Sequence, residues 1–487
     1  MEFKEDKSKT LRQEESINKW RNAKGNGTLL LCPRFGKTKI GVEIVKRTIE
    51  KNNNAFIIIL APSEYIVKYW KNYFDDNFLA TYQINIYSID YFIKNSNTIT
   101  YNQDLVIVDE VHKFLSDKRY EVLKELRSKS KWWLNLLGIM PHEKDRDMIC
   151  ALAPVIDKIT TQEAVEKGWV SPHIEYNICL EFSDEDRIRY IKLSSLIKDT
   201  LDIFKDVHRK VKYQNKELFQ SDFELIYACY AGKKLSHGFV EGKKIREITA
   251  NIMGWNTNLD LYTEYGRQRD KYWNPNNIYE RCKSFSINVK LRNNIISNNN
   301  IKLDMINNLI TKYPVPTIIF NESIDFVTKI ADSLGKDAIA YHSQIESRPI
   351  WDNDNNDWFR YASGKKQGQP KMFGKDKIKE ETIQGIINGK YKYLVTAKAL
   401  DEGLTIPNLE QVIITAGSTN LIQQGQRKGR GTNIDINNPN KQTKIFNLYF
   451  NDIYLVDGGI IRSRDKTKLL ERQTNSAIEI SNLDEIS

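Results

Sequence analysis

The chain has 487 residues, of which 40% are apolar and 28% are charged, a composition that suits two or three globular domains. No apolar run approaches the roughly 18–20 residues of a membrane-spanning helix, the first residues lack the apolar core of a signal peptide, and the five scattered cysteines show no metal-site spacing. These features predict a cytoplasmic protein without a membrane partner, and the net charge of +10 favours a nucleic-acid partner.

Continuous apolar runs in the first third of the chain predict strands that are buried on both faces of a parallel sheet. These runs lie at 28–32, 56–61, 105–108 and 133–138. Between them, residues 37–51 and 64–74 have the spacing of amphipathic helices. The alternation of strand and helix predicts a doubly wound α/β domain over residues 1–182.

The sequence changes character at about residue 183. Long polar helical patterns, rich in Tyr, Lys and Arg and without a clear strand pattern, predict a helical insertion over 183–295. Strand–helix alternation then returns and predicts a second parallel-sheet α/β domain over 296–465. Its expected strands are 317–320, 338–341, 393–396, 411–415 and 444–450. The Gly-rich stretch Trp351–Gly374 predicts a surface loop, and 466–487 is expected to be a tail with a mobile acidic end.

A candidate phosphate-binding loop follows the first predicted strand and opens the first predicted helix at Cys32–Thr38. In such a loop, Lys37 reaches the β- and γ-phosphates and the Thr38 hydroxyl binds Mg²⁺. The full GxxxxGK[ST] pattern is not met, because Leu31 stands at its first glycine. A chance Gly-Lys-Thr is therefore the alternative for this segment taken alone.

Two carboxylates, Asp109 and Glu110, end the apolar run 105–108, about seventy residues after the loop. In α/β nucleotide sites this position holds Mg²⁺ and the attacking water. We expect Asp109 to bind Mg²⁺ and Glu110 to polarise the water. A helix cap is the alternative. Together, the loop and the carboxylates predict one ATPase site with ATP and Mg²⁺ as its ligands.

Near the C-terminus, Gln423–Arg430 carries Arg427 and Arg430 at a spacing that places both on one face of a helix. Two guanidinium groups in that arrangement are suited to stabilise charge on a phosphoryl group during its transfer. The alternative is a basic helix on the surface of the protein.

In their order, these segments resemble the motifs of the superfamily 2 helicases and translocases, which have two RecA-like domains. Pro33–Thr38 resembles motif I in the form found in viral and type III restriction-like members. Asp109–His112 resembles motif II, a DExH box that reads DEVH here, and Gln423–Arg430 resembles motif VI. The resemblance covers both α/β domains and leaves the insertion unassigned.

The resemblance implies contacts with the nucleotide and with nucleic acid. Arg12 and Gln13 fall where such proteins read the adenine edge, and Gly403 falls in a segment similar to motif V. The residues expected at the nucleotide are Arg12, Gln13, Pro33, Arg34, Phe35, Gly36, Lys37, Thr38 and Gly403. Segments similar to motifs Ia, Ib, IV and V place the expected nucleic-acid contacts at Pro62, Ser63, Tyr87, Ser88, Asn321, His342 and Thr396.

Some positions depart from the family pattern. Leu137–Pro141 lacks the hydroxyl residues usual in motif III, Thr405 replaces an acidic residue of motif V, and Gln426 replaces a glycine of motif VI. Because the motif III hydroxyls are thought to couple hydrolysis to strand separation, ATP hydrolysis is better supported than unwinding. In the insertion, aromatic and basic residues alternate from Trp255 to Trp273, a pattern that suits either base stacking or an aromatic core with cations at its rim.

The sequence therefore predicts a nucleic-acid-dependent ATPase, namely a DNA helicase or translocase that hydrolyses ATP between two RecA-like domains in the cytoplasm of a bacterium or an infected cell. DNA is preferred over RNA because the motifs look closer to restriction- and repair-type forms than to DEAD-box forms. The alternatives are an RNA helicase and a non-catalytic nucleic-acid-binding or assembly protein on a degenerate helicase scaffold.

Overall fold

The computed structural model describes residues 7–74, 76–96, 103–141, 143–213, 216–235, 238–254, 278–345, 348–349, 351–352, 357–358, 360, 367–370, 372–397, 406, 409–416, 421–431, 441–471 and 477–486. The chain forms two compact units. The first comprises 1–179, 303–449 and 468–487, and the second comprises 180–302 and 450–467. Within the described ranges, no helix has the length and apolar character required to cross a bilayer.

The first parallel sheet has six strands in the order β3-β2-β4-β5-β1-β6. The strands are β1 (Asn26–Leu31), β2 (Ile57–Ala61), β3 (Ile84–Ser88), β4 (Gln103–Asp109), β5 (Ser130–Leu137) and β6 (Val155–Ile159). The accompanying helices are α1 (Lys7–Asn22), α2 (Lys37–Lys51), α3 (Glu64–Lys71), α4 (Asp76–Thr81), α5 (Ile89–Asn95), α6 (Asp117–Ser128), α7 (Glu143–Leu152) and α8 (Thr161–Glu166). Every residue of β2 is buried, as expected for a strand covered on both faces.

The four strands predicted here correspond to β1, β2, β4 and β5, and α2 has the predicted bounds. The sequence did not predict β3 and β6, which lie at the edges of the sheet. Both have mixed burial, so neither forms the continuous apolar run that marks a central strand. The next strand, β7 (His173–Leu180), belongs to the second sheet.

The second unit is mainly helical, as predicted for the insertion. Its main helices are α9 (Asp184–Ile203), α10 (Asp222–Ala231), α11 (Gly242–Met253) and α12 (Ile278–Ser297). They enclose a core of apolar side chains that includes Phe204, Leu225, Cys229 and Phe285. Three short antiparallel pairs are β8 (Lys212–Tyr213) with β9 (Lys216–Glu217), β10 (Lys233–Leu235) with β11 (Gly238–Val240), and β21 (Ile453–Tyr454) with β22 (Ile460–Ile461). The sequence did not predict these strands, because two or three residues are too few to show alternation. The aromatic and basic stretch Trp255–Trp273 lies outside the described residues.

The second sheet has seven strands in the order β13-β18-β12-β19-β20-β7-β23. They are β7, β12 (Thr317–Asn321), β13 (Ala338–Tyr341), β18 (Tyr393–Ala397), β19 (Gln411–Ile414), β20 (Thr443–Phe450) and β23 (Ile478–Ile480). The helices that follow the insertion are α13 (Asn300–Lys312), α14 (Ile324–Leu334), α15 (Lys375–Ile387), α16 (Leu421–Lys428) and α17 (Arg464–Leu470). The neighbours from β13 to β20 are parallel, which confirms the predicted class of two parallel-sheet α/β domains around a helical insertion.

Two segments join the second sheet against expectation. Sequence analysis placed β7 inside the first domain, and it placed β23 in a mobile tail, yet these two strands pair in parallel. The buried Glu175 and Asn177 interrupt the apolar pattern of β7, so the run did not look like a strand. The predicted loop Trp351–Gly374 also carries short paired strands, which are β15 (Trp351–Asp352) with β16 (Asp357–Trp358), and β17 (Met372–Phe373) with β14 (Arg348–Pro349).

Candidate active site

The adjacent strands β4, β5 and β1 end at the same edge of the first sheet. Because all three are parallel, this edge receives the segment that follows each strand. The structure thereby brings together the two motifs expected to act on ATP: Lys37 Nζ lies 2.5 Å from Glu110 Oε1. Both side chains are largely shielded from solvent, with 14% and 16% of their surfaces exposed.

The loop between β1 and α2 is held from inside the protein. Gln13 Nε2 donates a hydrogen bond to the Phe35 carbonyl oxygen at 2.8 Å, and the fully buried Phe35 ring packs edge-on against Trp169. Gly36 has a φ of 106°, and a Cβ atom there would lie 2.5 Å from Gln13 Nε2. The loop therefore requires glycine at this position. Lys37 and Thr38 then open the 15-residue helix α2, whose N-terminus favours a bound anion.

Asp109 is fixed by a side chain that sequence reasoning missed. Trp70 of α3 donates from Nε1 to Asp109 Oδ2 at 2.9 Å, and both residues are buried. Burial raises the pKa of Asp109 to about 6, and the neighbouring Glu110 carboxylate adds to this effect. Trp70 thus orients the carboxylate that was predicted to bind Mg²⁺.

Glu110 has a strained backbone and two basic neighbours. Its φ of 50° lies in the left-handed region, and its side chain pairs with Lys37. Burial alone would raise the pKa of Glu110, but its basic neighbours, Lys37 foremost, together outweigh burial and hold that pKa below its ordinary value. His112 Nδ1 lies 3.4 Å from Glu110 Oε2, and burial lowers the pKa of His112 to about 4, so its ring is neutral at pH 7.

Gly138 follows β5 and borders the same site. A Cβ atom at this position would lie 2.8 Å from Lys37 Nζ and 3.8 Å from Glu110 Oε1. Any larger residue would therefore press on the ion pair. Sequence analysis treated the segment Leu137–Pro141 only as a departure from motif III. The position of Gly138 at the end of an apolar strand was the signal that could have identified this glycine as a residue of the site.

The motif VI segment lies against these first-domain residues. A Cβ atom on Gly425 would lie 1.9 Å from Ile139 Cδ1, and one on Gly429 would lie 2.8 Å from Pro33 Cβ. Two glycines four residues apart thus allow close contact with the phosphate loop and with the segment after β5. Sequence analysis named neither glycine, although their helical spacing was visible.

The two arginines of this segment are buried, with exposed fractions of 0% for Arg427 and 5% for Arg430. Arg427 lies over the Phe320 ring and donates to the Ala416 carbonyl oxygen at 3.3 Å. Helix α16 ends at Lys428, so Arg430 lies in the following turn and not on the helix face that was predicted. Burial raises the pKa of Tyr65 in α3, and the nearby Arg430 cation opposes this effect. These positions do not fit the alternative of a basic surface helix.

The residues expected to read adenine have partners inside the protein. Arg12 donates two hydrogen bonds of 2.8 Å to the carboxylate of Asp157, which also accepts from Lys19 at 2.6 Å and from Ser16 at 2.7 Å. Gln13 contacts the loop, as described above. Their contacts with a nucleotide stay predictions, while Arg12 has a structural role that the sequence did not reveal.

The Asp157 cluster predicts a pH-dependent contribution to stability. Burial alone would raise the pKa of Asp157, but hydrogen bonds from Arg12, Lys19 and Ser16 outweigh burial and lower it to about 2 from an ordinary 3.8. A lowered pKa contributes stability that is complete above the unfolded value and is lost as the pH falls towards 2. We expect Asp157→Asn to reduce the free energy of unfolding at pH 7 by at least about 2 kcal/mol, because a shift of one unit corresponds to about 1.4 kcal/mol.

Urea unfolding at pH 7, 5 and 3 measures this effect, and the loss should be smaller at pH 3 than at the other two values. Asp90→Asn is the matched control, since Asp90 forms an exposed pair with Arg119. We expect this control to change stability by less than about 1 kcal/mol. Equal losses for Asp157→Asn at all three pH values would contradict an origin in the ion pairs.

The first-domain residues expected to contact nucleic acid lie at two adjacent helix N-termini. Ser63 caps α3 by accepting from the Ile66 N–H, and Ser88 caps α5 by accepting from the Tyr91 N–H. The Ser88 hydroxyl also donates to Glu64, and Ser88 is buried. Pro62 immediately precedes the α3 cap, and Tyr87 stacks on Tyr91. Helix N-termini suit phosphate contacts through backbone N–H groups, and the Ser88 side chain is already engaged within the protein.

In the second sheet, two of the expected nucleic-acid contacts have buried side chains. Asn321 is fully buried and donates to Thr415 Oγ1 at 2.6 Å. Thr396 is also fully buried, and its hydroxyl has no hydrogen-bond partner within the described part of the chain. Both therefore occupy packing positions. Burial lowers the pKa of the partly exposed His342. Gly403 lies outside the described residues.

Comparisons with known proteins bear on this site. Residues 367–434 match the family described as "Helicase conserved C-terminal domain", a range that contains the whole motif VI segment. No curated protein sequence matches the chain. The structure is similar to the crystal structure of the Pyrococcus furiosus Hef helicase domain, with 13% identity, a TM-score of 0.49, and coverage of 95% of this chain and 98% of that chain.

Proposed function

We propose that this chain is a superfamily 2 helicase or translocase, a nucleic-acid-dependent ATPase that acts on DNA. The observation that carries the proposal is the meeting of three segments at one place. The phosphate loop supplies Lys37, the end of β4 supplies Asp109 and Glu110, and the motif VI segment, which carries Arg427 and Arg430, packs through its two glycines against Ile139 and Pro33. The two RecA-like domains thus contribute to a composite site.

The side chains present suit ATP and Mg²⁺. Asp109 offers a carboxylate oriented by Trp70, and Thr38 offers a hydroxyl at the start of α2. Both are oxygen ligands of the kind that Mg²⁺ prefers. When bound, Mg²⁺ supplies positive charge to the phosphate oxygens. Arg12, Gln13, Pro33, Arg34, Phe35, Gly36 and Gly403 complete the residues proposed to surround the nucleotide.

The ion pair between Lys37 and Glu110 gives these residues two states. Without phosphate, the Lys37 ammonium group neutralises the shielded Glu110 carboxylate, which would otherwise be costly to desolvate. Phosphate oxygens compete for Lys37, because they carry negative charge in the same loop. Glu110 is then released to accept a proton from a water molecule at Oε1 or Oε2. Binding of the substrate thereby prepares the base.

The arginines act from the second domain. Arg427 and Arg430 are held away from solvent, so their charge is weakly screened. They are proposed to stabilise the negative charge that develops on the transferred phosphoryl group. Because the turn after α16 contacts the phosphate loop at Gly429, the site is complete only when the two domains meet, and this requirement links hydrolysis to domain movement.

Nucleic acid is proposed to bind along the helix N-termini at Pro62, Ser63, Tyr87 and Ser88 and to continue past His342, with Asn321 and Thr396 supporting the second-domain edge. The net charge of +10 favours contacts with phosphates rather than with base edges. DNA is favoured over RNA on the resemblance of the motifs, which is analogy and not a property of the site.

Nucleic-acid stimulation tests this proposal. We expect DNA to increase the ATPase rate by at least about tenfold over the protein alone, because strand binding across both domains favours the closed site. Binding should weaken by about 10³-fold or more between 50 and 200 mM salt if six or more phosphates are contacted, and it should vary little with sequence. The measurement compares ATPase rates with no nucleic acid, single-stranded DNA, duplex DNA, branched DNA and RNA.

Stimulation by RNA but not by DNA would favour the RNA-helicase alternative. An ATPase rate that no nucleic acid changes at low salt would overturn the proposed motor. Absence of hydrolysis under every condition, with nucleic-acid binding retained, would favour the non-catalytic scaffold.

A further inference from the structure

The phosphate loop contains a residue with a strained backbone. Arg34 has a φ of 69°, in the left-handed region where glycine is relaxed and other residues are uncommon. Among the described residues, the only others with this feature and a side chain are Lys24, Glu110 and Asp206. Glu110 is part of the same site. Such strain persists only where the surrounding structure imposes it, and strained residues cluster at functional sites.

The side chain of Arg34 reaches the second domain. Its Nε donates to the carbonyl oxygen of Gly429 at 3.3 Å. Gly429 follows the last residue of α16, where helix carbonyl groups lack intrahelical donors and carry partial negative charge. A cation is favoured at that end of a helix. Burial lowers the pKa of Arg34 to about 10, so the guanidinium group stays charged at pH 7.

The contact falls between the two arginines proposed to act on the phosphoryl group. Gly429 lies two residues after Arg427 and one residue before Arg430. Pro33 packs against the same glycine, and Ile139 packs against Gly425 one helical turn earlier. The motif VI turn is therefore in contact with the loop through a hydrogen bond on one residue and through close packing on its neighbour.

We propose that Arg34 is a positioning residue that ties the phosphate loop to the motif VI turn and so sets the placement of Arg427 and Arg430 when the domains close. This inference rests on the proposed function, because it concerns the regulation of the same site. Because Arg34 of the phosphate loop donates a hydrogen bond to the second domain, phosphate binding to the loop is coupled to the placement of the two arginines. Arg34 therefore acts through the two arginines and not on the phosphoryl group itself.

Arg34→Gly tests the inference with little risk to folding, because glycine relaxes the backbone at this φ. Because the variant keeps the backbone N–H through which residue 34 can contact phosphate, we expect its affinity for a fluorescent ADP analogue to stay within about twofold of wild type. The kcat for ATP should fall at least about tenfold with KM unchanged, and affinity for ADP with aluminium fluoride, which resembles the transferring phosphoryl group, should fall by a similar factor. Arg34→Lys keeps one donor and should recover part of the loss.

Lys24→Gly is the matched control. Lys24 also has a left-handed backbone, with a φ of 57°, in the turn between α1 and β1. Glycine should relax it in the same way without changing kcat or the affinity for the aluminium fluoride complex. A melting temperature for Arg34→Gly at or above that of wild type separates the effect from misfolding.

A second pair of variants tests the contact from its other side. Gly429→Ala places a methyl group against Pro33 and should also lower kcat. Combined with Arg34→Gly, its effect should be less than the product of the two separate factors, because both changes disturb one contact. Gly374→Ala is the control, since a Cβ atom there meets nothing within 4 Å.

The outcomes separate the two proposals. If the wild-type protein hydrolyses ATP, and Arg34→Gly has the same kcat and the same affinity for ADP with aluminium fluoride, the positioning role is overturned and the proposed ATPase function stands. Equal losses of ADP binding and kcat would also overturn it, because they would indicate damage to the loop alone. A wild-type protein that binds no nucleotide and hydrolyses no ATP would overturn the proposed function and this inference together.

Discussion

Glu110→Gln is expected to bind ATP and to lower its hydrolysis by about 10³-fold, because the amide cannot accept a proton from water. Lys37→Ala is expected to lose most hydrolysis together with nucleotide affinity, since it removes the charge that faces the β- and γ-phosphates. Both variants should therefore lose ATP turnover, but only Lys37→Ala should also lose nucleotide affinity. Equilibrium binding of a fluorescent ATP analogue and steady-state phosphate release measure the two quantities separately.

Two surface variants control for nonspecific effects. Glu43→Gln and Lys46→Ala alter helix α2 away from the loop, where Glu43 pairs with Arg47 and Lys46 is exposed. Both should keep wild-type turnover. Near-normal hydrolysis in Glu110→Gln would refute its role as the base. Retained nucleotide affinity in Lys37→Ala would show that the helix N-terminus, and not the ammonium group, holds the phosphates.

Arg427→Ala and Arg430→Ala should each lower kcat by about 10²-fold or more, with smaller changes in nucleotide affinity. The reason is that the two arginines stabilise negative charge that develops on the phosphoryl group only during its transfer. Because Arg427 is fully buried over Phe320, its alanine variant leaves a cavity, so Arg427→Lys should accompany it. Single-turnover hydrolysis and nucleotide binding, with melting temperatures for each variant, check the expectation.

Arg462→Ala is the control for loss of a basic residue, since Arg462 is exposed. Full turnover in both motif VI variants would mean that the second domain does not contribute to the chemistry. A loss of turnover that follows a lowered melting temperature would point to packing of Arg427 and not to catalysis. A loss at unchanged melting temperature supports the composite site.

The sequence by itself determined the central strands and the local start of the site. Continuous apolar runs such as 56–61 and 105–108 have few stable arrangements other than strands covered on both faces, so β2 and β4 could be predicted from them. A parallel strand also fixes where its next residues go, at its carboxyl edge. For this reason Lys37 and Glu110, which follow β1 and β4, could be expected to meet, and their side chains form an ion pair.

Only the tertiary structure decided the contacts between residues far apart in the sequence. β7 and β23 belong to the second sheet because their polar residues find partners there: Asn447 donates to Glu175, and Asn177 donates to Glu479. No local pattern records such partners. Trp70 looked like an ordinary apolar residue of α3 until its Nε1 was seen to donate to Asp109.

The same limit applies to the surfaces that close the site. Gly138, Gly425 and Gly429 matter because a Cβ atom at any of them would clash with a neighbouring residue. These neighbouring residues belong to other segments of the first domain or to the other domain. Arg34 could be read from the sequence only as a loop residue, because both its left-handed backbone and its bond to Gly429 arise when two segments separated by nearly 400 residues are packed together. Local sequence determines the elements and the order of the motifs, whereas long-range packing decides which side chains hold the catalytic groups in place.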